Sequence, residues 1–346
     1  MVKAIQIGLG AWGFSWSKDV IPKVPNVEMV GFVDTNPDAA ARVQTELGID
    51  PKLCFTSLDD AASRAGASLA LCTLRTEAHY PVVKRCLELG YHVLVEKPFT
   101  TTIAQGKELV ALAKAQGKLL MVSQNYRHQP APIAAANLVA SGKFGPMSMV
   151  SVDFRRHGPT QGYRYWDMPD PLLADMSIHH FDLMRFVLGD EPKLLSARTW
   201  NPPGSPFQFD PTGVVTIEFA RGTVVTYRAS WMSAQPVTTW AGEWVMDGAE
   251  GVISWSSRDH FRDQRGPDRL ALRVLDGPEE AVPLDTIEFA DRVGTLHTMA
   301  RVIETGVQPV GFSSGEDNLG SLAMVQASIL SASRGGDWVE TAEVIG

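Results

Sequence analysis

Residues 3–13 read KAIQIGLGAWG, and this stretch decides the fold of the first part of the chain. An apolar run breaks at Gly8, and Gly10 and Gly13 follow before a helix-like segment begins. In that order the glycines permit a tight turn, a close approach of backbone to a pyrophosphate and close helix packing, with the helix N-terminus facing the phosphates. The pattern predicts a dinucleotide-binding turn rather than a glycine-rich turn without a ligand, and its residues are Gly8, Gly10, Ala11, Trp12 and Gly13.

Short apolar runs alternate with helix-like stretches from the first strand to about Ser123. The runs are AIQIGL, VEMVGFVD, SLALCTL, HVLVEK and KLLMVS. Such alternation is typical of parallel strands joined by helices in a doubly wound sheet. Residues 1–123 are therefore predicted to form an α/β Rossmann domain.

The sequence pattern changes after residue 145. Longer alternating runs such as MSMVSVDF, GVVTIEF, TVVTYRASW and RLALRVLD follow, with helical stretches between and after them. Residues 124–346 are predicted to form an α+β domain around a large, mostly antiparallel sheet, and the length of the chain also favours two cores. In TVVTYRASW one face is apolar; it either covers the domain's own helices or pairs with a second subunit.

Composition narrows the class of protein. Apolar residues make up 45% of the chain and charged residues 20%, as in a soluble globular protein. The net charge of -8 argues against nucleic acid as a partner and favours a small ligand. The three cysteines contain no CxxC pair, and neither a signal peptide nor a membrane span is apparent. We therefore expect a cytoplasmic protein without a structural metal.

An acidic residue ends the second apolar run. Asp34 follows Gly13 by 21 residues, where a carboxylate can accept hydrogen bonds from ribose hydroxyls and repel a 2′-phosphate. Thr35 and Asn36 bring no cation beside it. NAD is therefore the predicted cofactor, while Arg42 and Arg75 leave open whether NADP is also accepted.

Two further motifs carry charged groups suited to chemistry. Glu96 and Lys97, followed by Pro98, stand at the end of the run HVLVEK, where the carboxyl end of a strand opens toward the ligand crevice. The alternative is that this charged pair marks an ordinary strand end at the protein surface and faces no ligand. Because an X-Pro bond tolerates the cis form, we expect a cis peptide here that aims Lys97 into the crevice.

The second motif is DMSIHHFD, residues 175–182. At 100° per residue on a helix, Asp175, His179 and Asp182 share one stripe, and His180 points away. Such a set can tune an imidazole to take a proton from a hydroxyl, because its ordinary pKa lies near neutral pH. A metal site and a capping aspartate beside a buried histidine remain alternatives.

Six motifs in register resemble the Gfo/Idh/MocA family of sugar and cyclitol dehydrogenases, over essentially the whole chain. They are the glycine turn, EKP at 96–98, NYR at 125–127, GKFG at 142–145, the helix at 175–182 and GAEG at 248–251. The resemblance implies a Rossmann domain followed by an α+β domain with an open sheet, often used for homodimer or homotetramer assembly. It also implies a nicotinamide cofactor.

The resemblance further implies roles for individual residues. By analogy with inositol dehydrogenases, Lys97 would bind the reacting oxygen, His179 would be the general acid/base and Asp175 would hold that histidine. Thr73, Leu74, Arg75, His79 and Glu96 fall where the family contacts the cofactor. The family often has Thr-Pro-Asn at the first of these positions, whereas this chain has Thr73-Leu-Arg75.

A group of cations and aromatic residues suits a polyhydroxylated ring, whose CH faces pack on aromatic rings while its hydroxyls bond to polar groups. The substrate-binding candidates are Lys97, Arg127, Arg156, Tyr163, Trp166, Asp175 and His179. The sequence thus predicts an NAD-dependent dehydrogenase that acts reversibly on a secondary or anomeric alcohol of a sugar, sugar derivative or cyclitol. The alternatives are a glycosidase-like oxidation and elimination enzyme and a non-catalytic NAD and sugar sensor.

Overall fold

A computed structural model describes residues 1–158, 164–234, 236–258 and 268–346. The chain divides into two compact units, Met1–Asn125 with Glu288–Leu319, and Tyr126–Ile287 with Gly320–Gly346. The first unit thus includes a segment from late in the chain that the sequence pattern grouped with the second domain. The reason is apolar packing, since Leu296, Met299 and Ala300 are buried in one core cluster with side chains of the first strand.

Parallel strands form the sheet of the first unit. They are β1 (Val2–Ile7), β2 (Val27–Val33), β3 (Cys54–Phe55), β4 (Leu69–Cys72), β5 (His92–Val95) and β6 (Leu120–Val122), in the order β3-β2-β1-β4-β5-β6. Helices α1 (Ala11–Ser15), α2 (Pro37–Leu47), α3 (Leu58–Ala65), α4 (Thr76–Glu88) and α5 (Ile103–Ala115) connect them. This is the predicted Rossmann arrangement, with β1 and β4 adjacent at the point where the strand order reverses.

The second unit is built on a larger, mixed sheet. After α6 (Pro130–Ala140), its strands are β7 (Met147–Arg155), β8 (Pro192–Trp200), β9 (Thr212–Phe219), β10 (Val224–Ser230), β11 (Glu243–Gly248), β12 (Gly251–Ser256), β13 (Arg269–Val274), β14 (Glu279–Ala281) and β15 (Val339–Glu340). Their order is β14-β13-β12-β11-β7-β10-β9-β8-β15. Among the described strands of this second sheet, only β7 and β10 pair in parallel, so the predicted, mostly antiparallel sheet is confirmed.

Helices cover one face of this sheet. Helix α7 (Ser177–Leu188) is buried over most of its length, and α10 (Thr341–Ile345) follows β15. Of the other late helices, α8 (Asp291–Thr305) belongs to the first unit, and α9 (Gly315–Ser333) begins in the first unit and continues into the second. On β10, Val225, Tyr227 and Ala229 point into the unit's own core, whereas Thr226 and Arg228 are exposed. The apolar face of this strand is therefore buried within the unit. In the described part of the chain, no helix has the length and apolar character needed to cross a membrane.

Candidate active site

The strand ends of the first unit bring the predicted cofactor residues to one edge. Strands β1, β4 and β5 are parallel neighbours, so their carboxyl ends lie on the same side of the sheet. The glycine turn follows β1, Thr73 follows β4, and Glu96 and Lys97 follow β5. Residues far apart in sequence thus meet where a doubly wound sheet binds its ligand.

The glycine turn combines two closely packed positions, Gly8 and Gly13, with one open position, Gly10. Gly8 has a φ of 93°, a conformation that favours glycine. A Cβ on Gly13 would lie 1.9 Å from the carbonyl oxygen of Gly8, so only glycine fits there. By contrast, a Cβ on the exposed Gly10 would meet no described atom within 4 Å, which leaves this backbone open to a pyrophosphate.

A buried amide holds the turn in place. Gln6, the last but one residue of β1, donates from Nε2 to the Gly13 carbonyl at 2.8 Å and to Thr73 Oγ1 at 3.1 Å. Its Oε1 accepts a hydrogen bond from Ser17 Oγ at 2.6 Å, and Thr73 Oγ1 donates to the Gly8 carbonyl at 2.6 Å. Gln6 is not among the predicted site residues, although an amide inside an apolar strand is a visible anomaly.

Asp34 lies beside the same turn. Its Oδ2 accepts a hydrogen bond from the Leu9 amide at 2.6 Å, and its Oδ1 accepts one from the Asn36 amide at 2.8 Å. The Arg42 guanidinium contacts other groups instead of this carboxylate. Its guanidinium carbon lies 3.7 Å from the Phe14 ring centroid, and its Nε is 2.9 Å from Glu46 Oε1.

We expect NADP to bind about 100-fold more weakly than NAD, because a 2′-phosphate beside the Asp34 carboxylate costs several kcal/mol and each 1.4 kcal/mol is tenfold. Asp34→Ser should reduce the ratio between the NAD and NADP affinities. Arg42→Ala is the matched control and should leave it unchanged, since Glu46 and Phe14 hold that guanidinium. Titration calorimetry with both nucleotides measures the ratio, and equal affinities in the unmodified protein would contradict the assignment.

The loop after β4 is held from within. His79 is buried, with Nδ1 2.8 Å from the Pro98 carbonyl oxygen and Nε2 3.2 Å from that of Leu74. Burial lowers the pKa of His79, which favours a neutral ring. The histidine therefore ties the loop of Thr73, Leu74 and Arg75 to the segment that follows Lys97. Arg75 itself is exposed and immediately precedes α4.

Glu96 is buried next to Lys97. Its carboxylate accepts hydrogen bonds from the indoles of Trp12 and Trp16, the latter at 2.7 Å. Burial raises the pKa of Glu96, against the lowering effect of these bonds and of the charge on Lys97. The Lys97–Pro98 peptide bond is cis, as predicted.

In the second unit, Asp175 and His179 lie on consecutive helical segments. Asp175 belongs to a π-helical turn, Pro171–Met176, that precedes α7, so the regular stripe assumed from 100° per residue begins only at Ser177. The Asp175 carboxylate accepts a hydrogen bond from the Tyr165 hydroxyl. Both Asp175 and His179 are buried.

The His179 imidazole is part of a three-layer stack. It lies parallel to the Tyr126 ring, with centroids 4.0 Å apart and an interplanar angle of 3°. The Arg258 guanidinium carbon lies 4.0 Å from the centroid of that same tyrosine ring. Neither Tyr126 nor Arg258 is among the predicted site residues, because both lie far from His179 along the chain and give no local signal.

Asp182 is engaged with Arg127. Arg127 donates to Asp182 from Nε at 2.7 Å and from Nη2 at 2.6 Å, and Ser321 Oγ donates to the same carboxylate at 3.0 Å. Both charged side chains are buried, and a bidentate pair is the geometry that stabilises such burial. These contacts give Arg127, a predicted substrate-binding residue, a structural partner within its own unit.

His180 faces the core, away from the stack. Its Nδ1 lies 2.8 Å from the Tyr227 hydroxyl, and its Nε2 lies 3.0 Å from the Trp240 carbonyl oxygen. Because the carbonyl can only accept, Nε2 carries the proton and Nδ1 accepts from the hydroxyl. Burial lowers the pKa of His180 from 6.5 to about 4.

This shift predicts a loss of stability in acid. The unfolded chain takes up a proton at His180 near pH 6.5, whereas the folded chain does so only near pH 4, so the free energy of unfolding falls as the pH drops between these values. The expected loss from pH 7 to pH 4 is about 3 kcal/mol. Urea denaturation measures it, and His180→Gln should show a shallower pH dependence; equal slopes in both proteins would contradict the prediction.

The remaining substrate candidates are partly described. Arg156 is buried, with its guanidinium carbon 4.4 Å from the Trp240 ring centroid. Trp166 packs against the core of the second unit, and no described residue accepts a hydrogen bond from its buried Nε1. Tyr163 lies outside the described residues. Within the described ranges, no group of three or more His, Cys, Asp or Glu side chains is arranged to hold a metal ion.

Two protein-family models match the chain. One, described as an oxidoreductase family with an NAD-binding Rossmann fold, matches residues 2–124. The other, described as a GFO/IDH/MocA C-terminal domain, matches residues 133–254. The first unit is therefore an NAD-binding Rossmann domain, as the glycine turn predicts.

Several curated proteins are similar along most of their length. D-apiose dehydrogenase of Paraburkholderia graminis is 26% identical over 90% of this chain and 83% of its own. The scyllo-inositol 2-dehydrogenase (NAD(+)) of Bacillus subtilis is 27% identical over 66% of this chain and 67% of its own. Among solved structures, an oxidoreductase from Agrobacterium radiobacter in complex with NAD+, L-tartaric acid and magnesium superposes with a TM-score of 0.85 at 18% identity, covering 99% of each chain, which establishes likeness of fold.

Proposed function

The chain belongs to the Gfo/Idh/MocA family of oxidoreductases, and from this premise we propose that it reversibly oxidises a secondary or anomeric alcohol of a sugar, sugar derivative or cyclitol. One observation carries the proposal. Lys97 follows a strand whose carboxyl end shares an edge with the glycine turn, so a cation stands at the edge of the sheet where the nicotinamide cofactor binds. The relatives named for apiose and inositol support the class of substrate.

The residues that would hold NAD belong to the first unit. The backbone of Gly10, Ala11 and Trp12 would bind the pyrophosphate, and Asp34 would bind the adenosine ribose. Thr73 and Gln6 support the turn by their hydrogen bonds to Gly8 and Gly13. When bound, NAD would supply the hydride acceptor for oxidation of the carbinol carbon, and the protein would supply orientation and proton transfer.

We assign proton handling to Lys97 and His179. The Lys97 ammonium would hydrogen-bond the substrate oxygen and stabilise the negative charge that develops on it. His179 would take the hydroxyl proton during oxidation and return it in the reverse reaction. Tyr126, stacked on the imidazole, and Arg258, stacked on Tyr126, would act as positioning residues by limiting rotation of the ring.

The direct test is reduction of NAD, followed at 340 nm, with a panel of monosaccharides, cyclitols and lactones. Stoichiometric release of free NADH with one member of the panel supports the proposal. Cleavage of a substrate without free NADH would instead identify an oxidation and elimination enzyme. Binding of NAD and a sugar with no turnover in either direction would identify a sensor.

The exposed face of the second sheet supports a further part of the proposal, that the protein is a homodimer or homotetramer. Met149, Val214 and Val245 present apolar side chains on this face, beside the exposed ion pair of Asp153 with Arg228. Apolar groups and paired charges of both signs can form a self-complementary surface. Light scattering should give two or four times the 37.7 kDa mass of one chain. The mass of a monomer would contradict the proposed assembly.

A further inference from the structure

A cation from the start of α8 lies against the glycine turn. The Arg292 guanidinium carbon is 4.5 Å from the Trp12 ring centroid and 5.5 Å from that of Trp16. Its Nη1 donates a hydrogen bond to Ser15 Oγ at 2.8 Å, 277 positions away along the chain. Ser15 ends helix α1, whose N-cap is Gly10. The Arg292 charge therefore lies beside α1, the short helix whose N-terminal backbone would bind a pyrophosphate.

The first turn of α8 is anchored so that Arg292 takes this position. Asp291 has a φ of 57°, which is unfavourable for a residue other than glycine and persists only where the surroundings hold it. Its Oδ1 accepts hydrogen bonds from Asn125 Nδ2 and, at 2.8 Å, from the Arg292 amide. Thr295 Oγ1 donates to the Asp291 carbonyl oxygen at 3.2 Å. A constrained backbone thus precedes the arginine.

The buried Glu96 carboxylate partly explains why a cation, Arg292, lies at this position. Arg292 attracts the Glu96 charge, which opposes the effect of burial on the pKa of that carboxyl. However, Glu96 already accepts hydrogen bonds from the indoles of Trp12 and Trp16. Arg292 is only half-buried, and it stacks on Trp12, which is 47% exposed and belongs to the turn itself.

We propose that Arg292 is a cofactor-binding residue that neutralises the pyrophosphate charge of NAD at the glycine turn. The backbone amides of Gly10 to Trp12 supply hydrogen bonds and a partial positive charge, whereas the pyrophosphate carries two negative charges. A guanidinium binds phosphate oxygens through paired N–H groups and also stacks on aromatic rings. Trp12 would therefore orient the Arg292 guanidinium toward the pyrophosphate, and the backbone of the glycine turn would bind that same pyrophosphate.

Titration calorimetry with NAD, ADP-ribose and adenosine tests the proposal. Arg292→Met should weaken NAD and ADP-ribose by about 10- to 100-fold, as expected for a lost charge-assisted hydrogen bond of 1.5–3 kcal/mol, and leave adenosine nearly unchanged. The affinity for NAD should also become less sensitive to salt. The matched control is Arg301→Met, at an exposed position on the same helix, which should bind all three ligands normally.

Two results would overturn the proposal. One is normal NAD affinity in folded Arg292→Met protein. The other is an equal loss for NAD and adenosine, which would mean that Arg292 only maintains the shape of the turn. If Arg292→Met does not fold, Arg292→Lys keeps the charge and removes the planar fork. This variant should bind NAD several-fold more weakly with adenosine unchanged, and normal NAD affinity in it would likewise exclude the role.

Discussion

Replacement of Lys97 by methionine is expected to lower kcat by about 10²- to 10³-fold, the range for loss of one donor to a developing oxyanion, while NAD binds almost normally. The reason is that Lys97 acts on the substrate oxygen, whose charge changes only as the reaction proceeds. Its loss therefore falls on the transition state, and kcat and kcat/KM should decline together. The glycine turn keeps its own supports, because the Gln6 and Thr73 hydrogen bonds do not involve Lys97.

The control for this variant is Lys114→Met, which removes an exposed lysine from α5 in the same unit. It should retain full turnover. Steady-state kinetics and NAD titration on the same preparations separate chemistry from binding. Near-normal turnover in Lys97→Met, or a loss of NAD affinity that matches the loss of turnover, would mean that Lys97 does not act on the substrate oxygen.

Much of the fold could be predicted because its signals are local. Each strand of the Rossmann sheet except β3 coincides with a short apolar run, and β3 has only two residues, too few to show a pattern. The alternating runs of the second sheet likewise predicted β7, β9, β10 and β13. The return of residues 288–319 to the first unit could not be predicted, because it depends on α8 packing against side chains almost the whole chain away.

The residues of the candidate site likewise fall into those with a local sequence signal and those without one. Glycine, acidic and lysine positions at strand ends were identifiable, since their spacing from an apolar run is visible in sequence. The supporting residues were not, because each acts over a long separation: Gln6 bonds to Thr73 and Arg292 to Ser15. The bidentate bond from Arg127 to Asp182 also spans 55 positions, so the stripe on α7 could not show it.

His179→Ala is expected to lower turnover by about 10²- to 10⁴-fold, the usual effect of losing a general acid/base. It should also flatten the dependence of kcat/KM on pH between about 6 and 8, because the titrating imidazole is gone. A purely structural histidine would change the rate without removing this dependence. The stack on Tyr126 allows a finer test, since Tyr126→Phe keeps the ring and should keep the pH profile, whereas Tyr126→Leu removes the stack.

The neighbouring His180 is a poor control for this experiment, because its bonds to Tyr227 and Trp240 lie in the core and its loss would lower stability. His297→Ala is better suited, since that ring lies on α8 against Phe289 and is not fully buried. It should leave both the rate and the pH profile unchanged. A His179→Ala protein that is folded and keeps near-normal turnover would remove the acid/base assignment. Together with an active Lys97→Met variant, it would show that the chain performs its chemistry without the two residues on which the proposed mechanism depends.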